Sequence, residues 1–222
     1  MRQGLTQLIN NEDDMVVCCE ASGAGEALAL IGRAAPDLAI VDLSLEGRHG
    51  LELIKDLRAL HPQLSVLVLS MHDEKLYAER VLRAGARGYI MKQAGGKLLI
   101  DALRQVLAGK ISVSPQISAR ILESFAGHPA EAEQSPLQRL TDREFEVFEL
   151  LGHGRSSREI ATQLNLSIKT VEVHRANVRA KLKLKTGPEL VMAAVRWADA
   201  EGRSTVPPES RPQKTQRRPT RS

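Results

Sequence analysis

The chain contains 222 residues, of which 42% are hydrophobic and 3% are aromatic. This length allows two modest domains or one large domain. A core so poor in aromatic residues suits helices packed on a sheet, or helical bundles, better than a β-sandwich. The sequence has no apolar run long enough to cross a membrane, and its first residues lack the apolar stretch of a signal peptide. We therefore expect a cytoplasmic protein without a membrane partner.

The formal net charge of +4 is unevenly distributed along the chain. Residues 203–222 carry six basic side chains and one acidic side chain, so the preceding part has a net charge of −1. Overall charge therefore does not indicate nucleic-acid binding, which has to be argued from local arrangement. The basic segment has too few apolar residues to fold, and we expect residues 202–222 to form a disordered tail.

The two cysteines, Cys18 and Cys19, are neighbours within an apolar run that is typical of a strand. Successive side chains of a strand point to opposite faces, which disfavours a disulfide between them. We expect two thiols in the protein core, kept reduced in the cytosol.

Short apolar runs alternate with segments of helical periodicity in the first half of the chain. The runs, typical of strands buried on both faces, are residues 16–21, 38–42, 64–69 and 88–91. The helical segments are Gly25–Ala34, Gly50–Leu60, Lys75–Ala84 and Lys97–Ala108. This alternation predicts right-handed βαβ units and a parallel sheet, so residues 1–110 are predicted to form an α/β domain.

The second half shows helical periodicity without strand signals. Residues 111–138 are predicted to contain a connecting helix at Pro115–Phe125 and a flexible linker at Gly127–Pro136. Residues 139–201 are predicted to form a four-helix domain, with helices at Asp142–Leu151, Ser157–Leu164, Ser167–Leu182 and Gly187–Trp197. Its first helix begins with a capping-box pattern, Thr141 and Glu144. A short helix, a tight turn and a longer helix are the geometry that places the second helix of the pair in the major groove of DNA.

The third helix of this domain has two dissimilar faces at about 100° per residue. Its core side is predicted to contain Val171, Arg175, Val178 and Leu182. The opposite side is small and mixed, and it can approach base edges through Lys169, Glu172, Val173 and Ala176. Residues on the flanks are placed to contact phosphates, namely Thr170, Asn177, Arg179, Lys181, Lys183 and Lys185.

The C-terminal motifs closely resemble the LuxR-type helix-turn-helix. The matching segments are Leu140–Glu144, Glu159–Ala161, Ser167–Arg175, Asn177–Val178 and Lys181–Leu182. The resemblance implies a domain that binds promoter DNA and dimerises through its last helix, here Glu189–Trp197. The residues alone leave an alternative to DNA binding, namely an ordinary helical protein-interaction domain whose basic face is merely solvated.

Three polar residues follow the predicted strands of the N-terminal domain. Asp42, Ser70 and Lys92 lie at or just after three strand ends, and the carboxyl ends of parallel strands are where ligands bind. They suit a phosphoryl site in which Asp42 is the nucleophile and the other two contact phosphate oxygens. Three unrelated strand-end residues are the alternative that spacing alone leaves open.

The segments around these residues resemble the receiver domain of NarL/FixJ response regulators. They are Asp42–Leu45, Gly50–Glu52, Val66–Ser70 and Ala84–Lys92. The resemblance implies an α/β flavodoxin-like fold, a doubly wound parallel sheet, in which a histidine kinase phosphorylates Asp42. It further implies that Ser70 and Tyr89 shift together upon phosphorylation.

The sequence departs from the receiver pattern in two places. Glu46 stands where the family usually has proline, which we expect only to loosen the loop. The chain begins in what resembles the first helix, so the first strand and its acidic pair are missing from the sequence. Asp42 would then hold Mg²⁺ almost alone, since Glu12, Asp13 and Asp14 are predicted to lie at the opposite edge of the sheet. We expect Mg²⁺ binding, and phosphorylation of Asp42, only in a complete receiver.

The leading interpretation is therefore a DNA-binding transcriptional regulator of a two-component phosphorelay. One alternative is a regulator with a degenerate receiver that acts without phosphorylation. A second is a dinucleotide-binding enzyme domain, suggested by Gly23 and Gly25 after a predicted strand. Leu28 occupies the place of the third glycine in that motif, which disfavours the enzyme.

Overall fold

A computed structural model describes residues 2–44, 50–126 and 135–204. Within these ranges the chain forms an N-terminal α/β domain and a C-terminal all-α domain, which confirms the predicted fold class. Among the described helices, none is long and apolar enough to cross a membrane. The predictions for Glu46, for most of the linker and for the tail after Ser204 concern residues outside the described ranges.

The N-terminal domain alternates helices and strands after two initial helices. Its elements are α1 (Arg2–Asn10), α2 (Ala24–Ala34), β1 (Leu38–Val41), α3 (Gly50–Leu60), β2 (Ser65–Ser70), α4 (Glu74–Ala84), β3 (Gly88–Met91) and α5 (Gly96–Leu107). A short 3₁₀ turn at Lys92–Ala94 links β3 to α5. The predicted strands and helices from Leu38 onward are present with small shifts at their ends.

The three strands form one parallel sheet in the order β1-β2-β3. Val41 pairs with Val68, and Ser70 pairs with Met91, so the three strands end at the same edge. Alternate residues of β2 face opposite ways. Leu67 and Leu69 belong to a core with α1 and α5, whereas Val66 and Val68 belong to a core with α3 and α4. This is the doubly wound arrangement, with helices covering both faces of the sheet.

The predicted strand at residues 16–21 is wrong. These residues adopt no helix or strand, and Val16 is 78% exposed. β1 pairs with β2 on one side, and no strand among the described residues pairs with its other side. In the receiver order, the segment 16–21 would pair with a strand lying between it and β1. Without that strand its backbone has no ladder to join.

The C-terminal half begins with a connecting helix, α6 (Pro115–Phe125), which packs on α4. After a 3₁₀ turn at Pro136–Arg139, the domain contains α7 (Asp142–Gly152), α8 (Ser157–Gln163), α9 (Ile168–Lys181) and α10 (Gly187–Ser204). The helix α10 extends seven residues beyond its predicted end at Trp197. Ala198, Ala200 and Glu201 in this extension are good helix formers.

Candidate functional site

The carboxyl edge of the sheet brings two of the predicted residues into direct contact. Asp42 follows β1 and Lys92 follows β3, and the Lys92 ammonium Nζ lies 2.5 Å from Asp42 Oδ2. The Lys92 side chain is 13% exposed and that of Asp42 is 31% exposed. A reagent from solvent can therefore reach the Asp42 carboxylate, while Lys92 can balance negative charge that accumulates beside it.

Ser70, at the end of β2, and Tyr89, in β3, are both buried, Ser70 completely. The Ser70 hydroxyl oxygen accepts a hydrogen bond from the backbone N–H of His72 at 3.2 Å. The Tyr89 hydroxyl donates to the carbonyl oxygen of His72 at 2.7 Å. Burial raises the pKa of Tyr89, while a hydrogen bond with Ser70 acts in the opposite direction. The hydroxyls of Ser70 and Tyr89 are thus both tied to the loop that follows β2.

His72, which the sequence did not single out, connects this loop to the Asp42 side. Its Nε2 lies 3.2 Å from Ser44 Oγ, and the backbone N–H of Ser44 donates to Asp42 Oδ1 at 3.1 Å. The imidazole also stacks on the Tyr77 ring, with centroids 4.7 Å apart. A histidine just after a strand has no distinguishing pattern, so only the folded structure reveals this link.

Among the residues that the structure describes, this edge does not offer the ligand set that Mg²⁺ needs. Asp42 supplies one carboxylate, and no group of three potential ligand side chains occurs in the part of the chain that the structure describes. Glu12 and Asp14 instead pair with Arg104 in the last turn of α5, at 2.6 and 2.9 Å. Gly109, two residues after α5, accepts a hydrogen bond from Arg87 just before β3, so this end of α5 lies near the starts of the strands rather than near Asp42. Mg²⁺ needs near-octahedral oxygen coordination, which one carboxylate does not provide.

The two domains pack against each other through α4 and α7. The Arg80 guanidinium is 6% exposed, lies 3.3 Å from the Asp142 carboxylate, and sits 4.5 Å above the Phe145 ring. Tyr77 donates a hydrogen bond to Glu149 Oε1 at 3.0 Å, and burial raises the pKa of the Tyr77 hydroxyl. This contact is both polar and buried, so it fixes one relative orientation of the domains.

A second interdomain contact reaches the loop beside the Asp42 site. Glu201, near the end of α10, accepts a hydrogen bond from the backbone N–H of Asp73 at 3.4 Å, and its carboxylate lies 4.0 Å from His72 Nδ1. Burial raises the pKa of Glu201. His72 therefore lies between the Asp42 side of the sheet edge and the last helix of the C-terminal domain.

The C-terminal domain holds α9 by conventional caps and an aliphatic core. Thr141 and Glu144 form the predicted capping box at the start of α7, and Ser167 caps α9 by accepting from the backbone N–H of Thr170. Val171 and Val178 are completely buried. The predicted core side of α9 is therefore correct for its aliphatic residues, and it fixes which face points outward.

The outward face of α9 is open to solvent in this arrangement of the domains. Val173 is 52% exposed, and the other exposed residues of this face are Lys169, Glu172, Ala176, Asn177 and Ala180. Thr170, Arg179 and Lys181 on the flanks are half-buried. The contact between the domains uses α7 and α10, so it leaves this face uncovered.

Three charged residues of α9 already have partners within the domain. Glu172 Oε1 accepts hydrogen bonds from Ser157 at 2.6 Å and from Arg175 at 3.0 Å. Lys181 Nζ lies 2.6 Å from Glu144 Oε2, a carboxylate that is 5% exposed. The sequence suggested Glu172 as a base contact and Lys181 as a phosphate contact, and either role would compete with these bonds.

Comparison with known families divides the chain at the same place as the structure. Residues 1–104 match the response regulator receiver domain. Residues 138–194 match the bacterial regulatory proteins of the luxR family.

Whole-length relatives share both domains. The oxygen regulatory protein NreC of Staphylococcus carnosus (strain TM300) is 36% identical over 200 residues, which cover 88% of this chain and 92% of NreC. NreC of Staphylococcus haemolyticus (strain JCSC1435) is 34% identical with the same coverage.

Solved structures of response regulators are also similar to this chain. RcsB from Salmonella enterica serovar Typhimurium, bound to promoter rprA in the presence of phosphomimetic BeF3-, has a TM-score of 0.67 and 25% identity, covering 87% of this chain and 92% of RcsB. A LuxR-family two-component response regulator from Aurantimonas sp. SI85-9A1 is 33% identical, with a TM-score of 0.52 over 56% of this chain and 89% of that one. The chain therefore belongs to the NarL/FixJ family of two-component response regulators, transcription regulators that join a receiver domain to a LuxR-type DNA-binding domain.

Proposed function

We propose that this regulator reads duplex DNA with the exposed face of α9 and is controlled by phosphorylation of Asp42 by a histidine kinase. The observation that supports DNA reading best is the open face around Val173 and Ala176, on a helix whose other side is anchored by buried valines. Both proposed activities, binding of promoter DNA and phosphorylation of Asp42 by a kinase, take place in the bacterial cytoplasm. We therefore assign the protein to that compartment.

Base readout is assigned to the centre of this face. Lys169 donates to guanine, Glu172 accepts from cytosine N4, and Val173 contacts a thymine methyl group. Ala176 has no side chain beyond Cβ, so the helix can approach the bases closely there. The positioning contacts to phosphates are assigned to Thr170, Asn177, Arg179 and Lys181.

The phosphoacceptor role of Asp42 is supported by its position and by Lys92. An Asp42 oxygen attacks the phosphorus of the donor, the bond from phosphorus to the donor breaks, and Lys92 contacts a phosphate oxygen. The Ser70 hydroxyl turns from the N–H of His72 towards another phosphate oxygen. Receivers bind Mg²⁺ for this reaction. The Asp42 carboxylate and the other described residues at this edge do not fit the ion, and we assign no step to it.

Control of DNA binding is assigned to the contact between His72 and Glu201. Movement of Ser70 and Tyr89 displaces the loop to which both are bonded, and that loop holds the end of α10. Release of α10 frees the C-terminal domain to reorient relative to the receiver, so that two copies can place their already exposed α10 faces together. The exposed apolar residues of α10, Met192 at 56% and Val195 at 36%, suit such a homodimer on DNA.

Binding to a duplex selected from a random library tests the DNA-reading proposal. Val173→Ala and Glu172→Ala are expected to change the preference at one or two base pairs by about 1–3 kcal/mol. Lys185→Ala, a flank variant, is the control and should weaken selected and scrambled duplexes equally. Equal losses on both duplexes for all three variants would overturn the base-readout assignment.

Phosphorylation is tested with acetyl phosphate on two proteins. One is the 222-residue chain, and the other is the same chain preceded by an apolar strand that ends in two acidic residues, designed to pair with the open side of β1. We expect Mg²⁺-dependent labelling of Asp42 in the second protein and very slow labelling in the first, because one carboxylate holds Mg²⁺ weakly. Asp42→Asn is the control in both. Rapid labelling of the 222-residue chain would contradict the metal argument, and labelling that persists in Asp42→Asn would overturn the assignment of the site.

A further inference from the structure

Cys18 and Cys19 do not lie where a strand would place them. Their Sγ atoms are 3.6 Å apart, whereas successive side chains of a strand point to opposite faces. Cys18 is exposed and Cys19 is partly exposed, so the expectation of two core thiols is wrong. Residues 16–21 form no strand, so no backbone pairing holds the two cysteine side chains on opposite faces.

Helix α1 holds the cysteine segment from both sides. Asn10 accepts from the backbone N–H of Val17 at 2.8 Å, Thr6 donates to the Glu20 carboxylate at 2.6 Å, and Arg2 donates to the carbonyl oxygen of Ala21 at 2.9 Å. These bonds fix the backbone before and after the two thiols. The sulfur pair is therefore presented on a tethered segment, which reduces the entropy lost when both sulfurs bind one atom.

The sulfur–sulfur distance fits two bonds to one soft atom. Two sulfurs bonded to one atom at about 2.3 Å per bond, with an angle of about 100° as at a pyramidal trivalent centre, lie about 3.5 Å apart, whereas a disulfide requires about 2.0 Å. Zinc needs four ligands, and the described residues contain no group of three potential ligands. The pair therefore suits an acceptor that needs only two protein sulfurs.

We propose that Cys18 and Cys19 form a dithiol site for trivalent arsenicals and comparable soft, thiophilic species. With an organic arsenoxide, the two S–H bonds and the arsenic–oxygen bond break, two As–S bonds form, and one water molecule leaves. Arsenic stays trivalent, so the reaction needs no oxidant. The pKa of Cys19 is raised, mainly by burial and in addition by the neighbouring Cys18. The more exposed Cys18 is therefore expected to react first.

Binding of an arsenical at this site is expected to affect strand formation at the open edge of the sheet. A bridge between neighbouring sulfurs keeps both side chains on one side of the chain. A β-strand needs them on opposite sides. A bound arsenical would therefore hold residues 16–21 out of any strand pairing beside β1.

Phenylarsine oxide is the probe, and the mass of the intact 222-residue chain is the readout. One adduct per chain is expected, removed by dimercaptopropanol but not by mercaptoethanol at the same thiol concentration. The matched controls are Cys18→Ser and Cys19→Ser, each of which should weaken retention about 100-fold or more because the second bond becomes intermolecular. Both sites are at least partly exposed, so circular dichroism should show an unchanged fold.

The alternatives give different results. An adduct that mercaptoethanol removes as readily as dimercaptopropanol would show independent thiols and overturn the proposal. Equal retention by the wild type and either serine variant would do the same. These outcomes do not depend on DNA binding or on phosphorylation, so they are separate from the proposed function.

Discussion

The ion pair between Lys181 and Glu144 makes a residue of α9 a determinant of domain stability. Glu144 is 5% exposed and Lys181 is 36% exposed, with 2.6 Å between their charged atoms. Breaking a fully buried pair costs about 3–5 kcal/mol, and an exposed pair contributes about 0–1 kcal/mol. For this half-exposed pair we expect Lys181→Ala to lower the free energy of unfolding by about 1–3 kcal/mol. The Tm of the C-terminal domain should fall by about 5–15 °C.

The pH dependence gives an independent check on this pair. Burial acts to raise the pKa of Glu144, but hydrogen bonds from Lys181 and from the Thr141 backbone outweigh it, and the pKa is lowered from 4.5. A lowered pKa means that the pair stabilises the fold above the ordinary value, and the effect is lost as pH falls through the lowered value. The wild type and Lys181→Ala should therefore converge in acid. The assay is thermal unfolding followed by circular dichroism across pH, with Lys185→Ala as control. If Lys181→Ala unfolds like the wild type at pH 7 while its DNA-binding salt slope falls by about one, Lys181 is purely a phosphate contact and this reasoning is refuted.

Three further predictions concern other parts of the molecule. Gly50→Ala should destabilise the N-terminal domain by about 1–3 kcal/mol in chemical denaturation, because a Cβ would lie 2.7 Å from Leu43 Cα and 2.9 Å from the Asp42 carbonyl oxygen; unchanged stability would contradict the close approach. Burial acts to raise the pKa of Asp142, but Lys55 and Arg80 outweigh it and the pKa is lowered from 3.8, so the interdomain contact should persist above that value and weaken as pH falls below it. Small-angle scattering should show expansion in acid, and for Asp142→Asn already at pH 7; equal dimensions throughout would refute the contact. Truncation after Gly202 should lower affinity for random DNA at low salt, since the basic tail is expected to follow phosphates, whereas unchanged affinity would show the tail to be silent.

Much of the fold follows from short-range patterns. The runs that became β1, β2 and β3 are short, apolar and separated by segments of helical period, so local sequence predicts them as strands of a parallel sheet. Burial on both faces is nearly complete for β2, whereas β1 and β3 are partly exposed. The caps at Thr141 and Ser167 likewise need only their own side chains and the first turn of a helix. The convergence of Asp42 and Lys92 follows once the sheet is parallel, because strand ends then share an edge.

The remaining features depend on contacts between distant segments. Residues 16–21 have the composition of a strand, but a strand also needs a partner for its backbone, which composition does not report. Glu201 meets Asp73 because two domains pack together, and no periodicity near either residue indicates this. The pairing of Lys181 with Glu144 was missed for the same reason, since an exposed-looking lysine on a helix flank fits a phosphate contact equally well.

Whether the open face of α9 contacts DNA can be measured with a matched pair of charge substitutions. Ala176 is exposed in the middle of this face, and Ala108 is exposed at the end of α5 in the other domain. Ala176→Glu and Ala108→Glu add the same negative charge, and binding of both variants to the selected duplex is measured at one salt concentration. Ala176→Glu should bind about 100-fold more weakly or worse, about 2.7 kcal/mol, since a carboxylate between α9 and the bases brings negative charge close to the duplex and prevents the close approach. Ala108→Glu should stay within about twofold of the wild type. Equal affinities for the two variants would contradict the account.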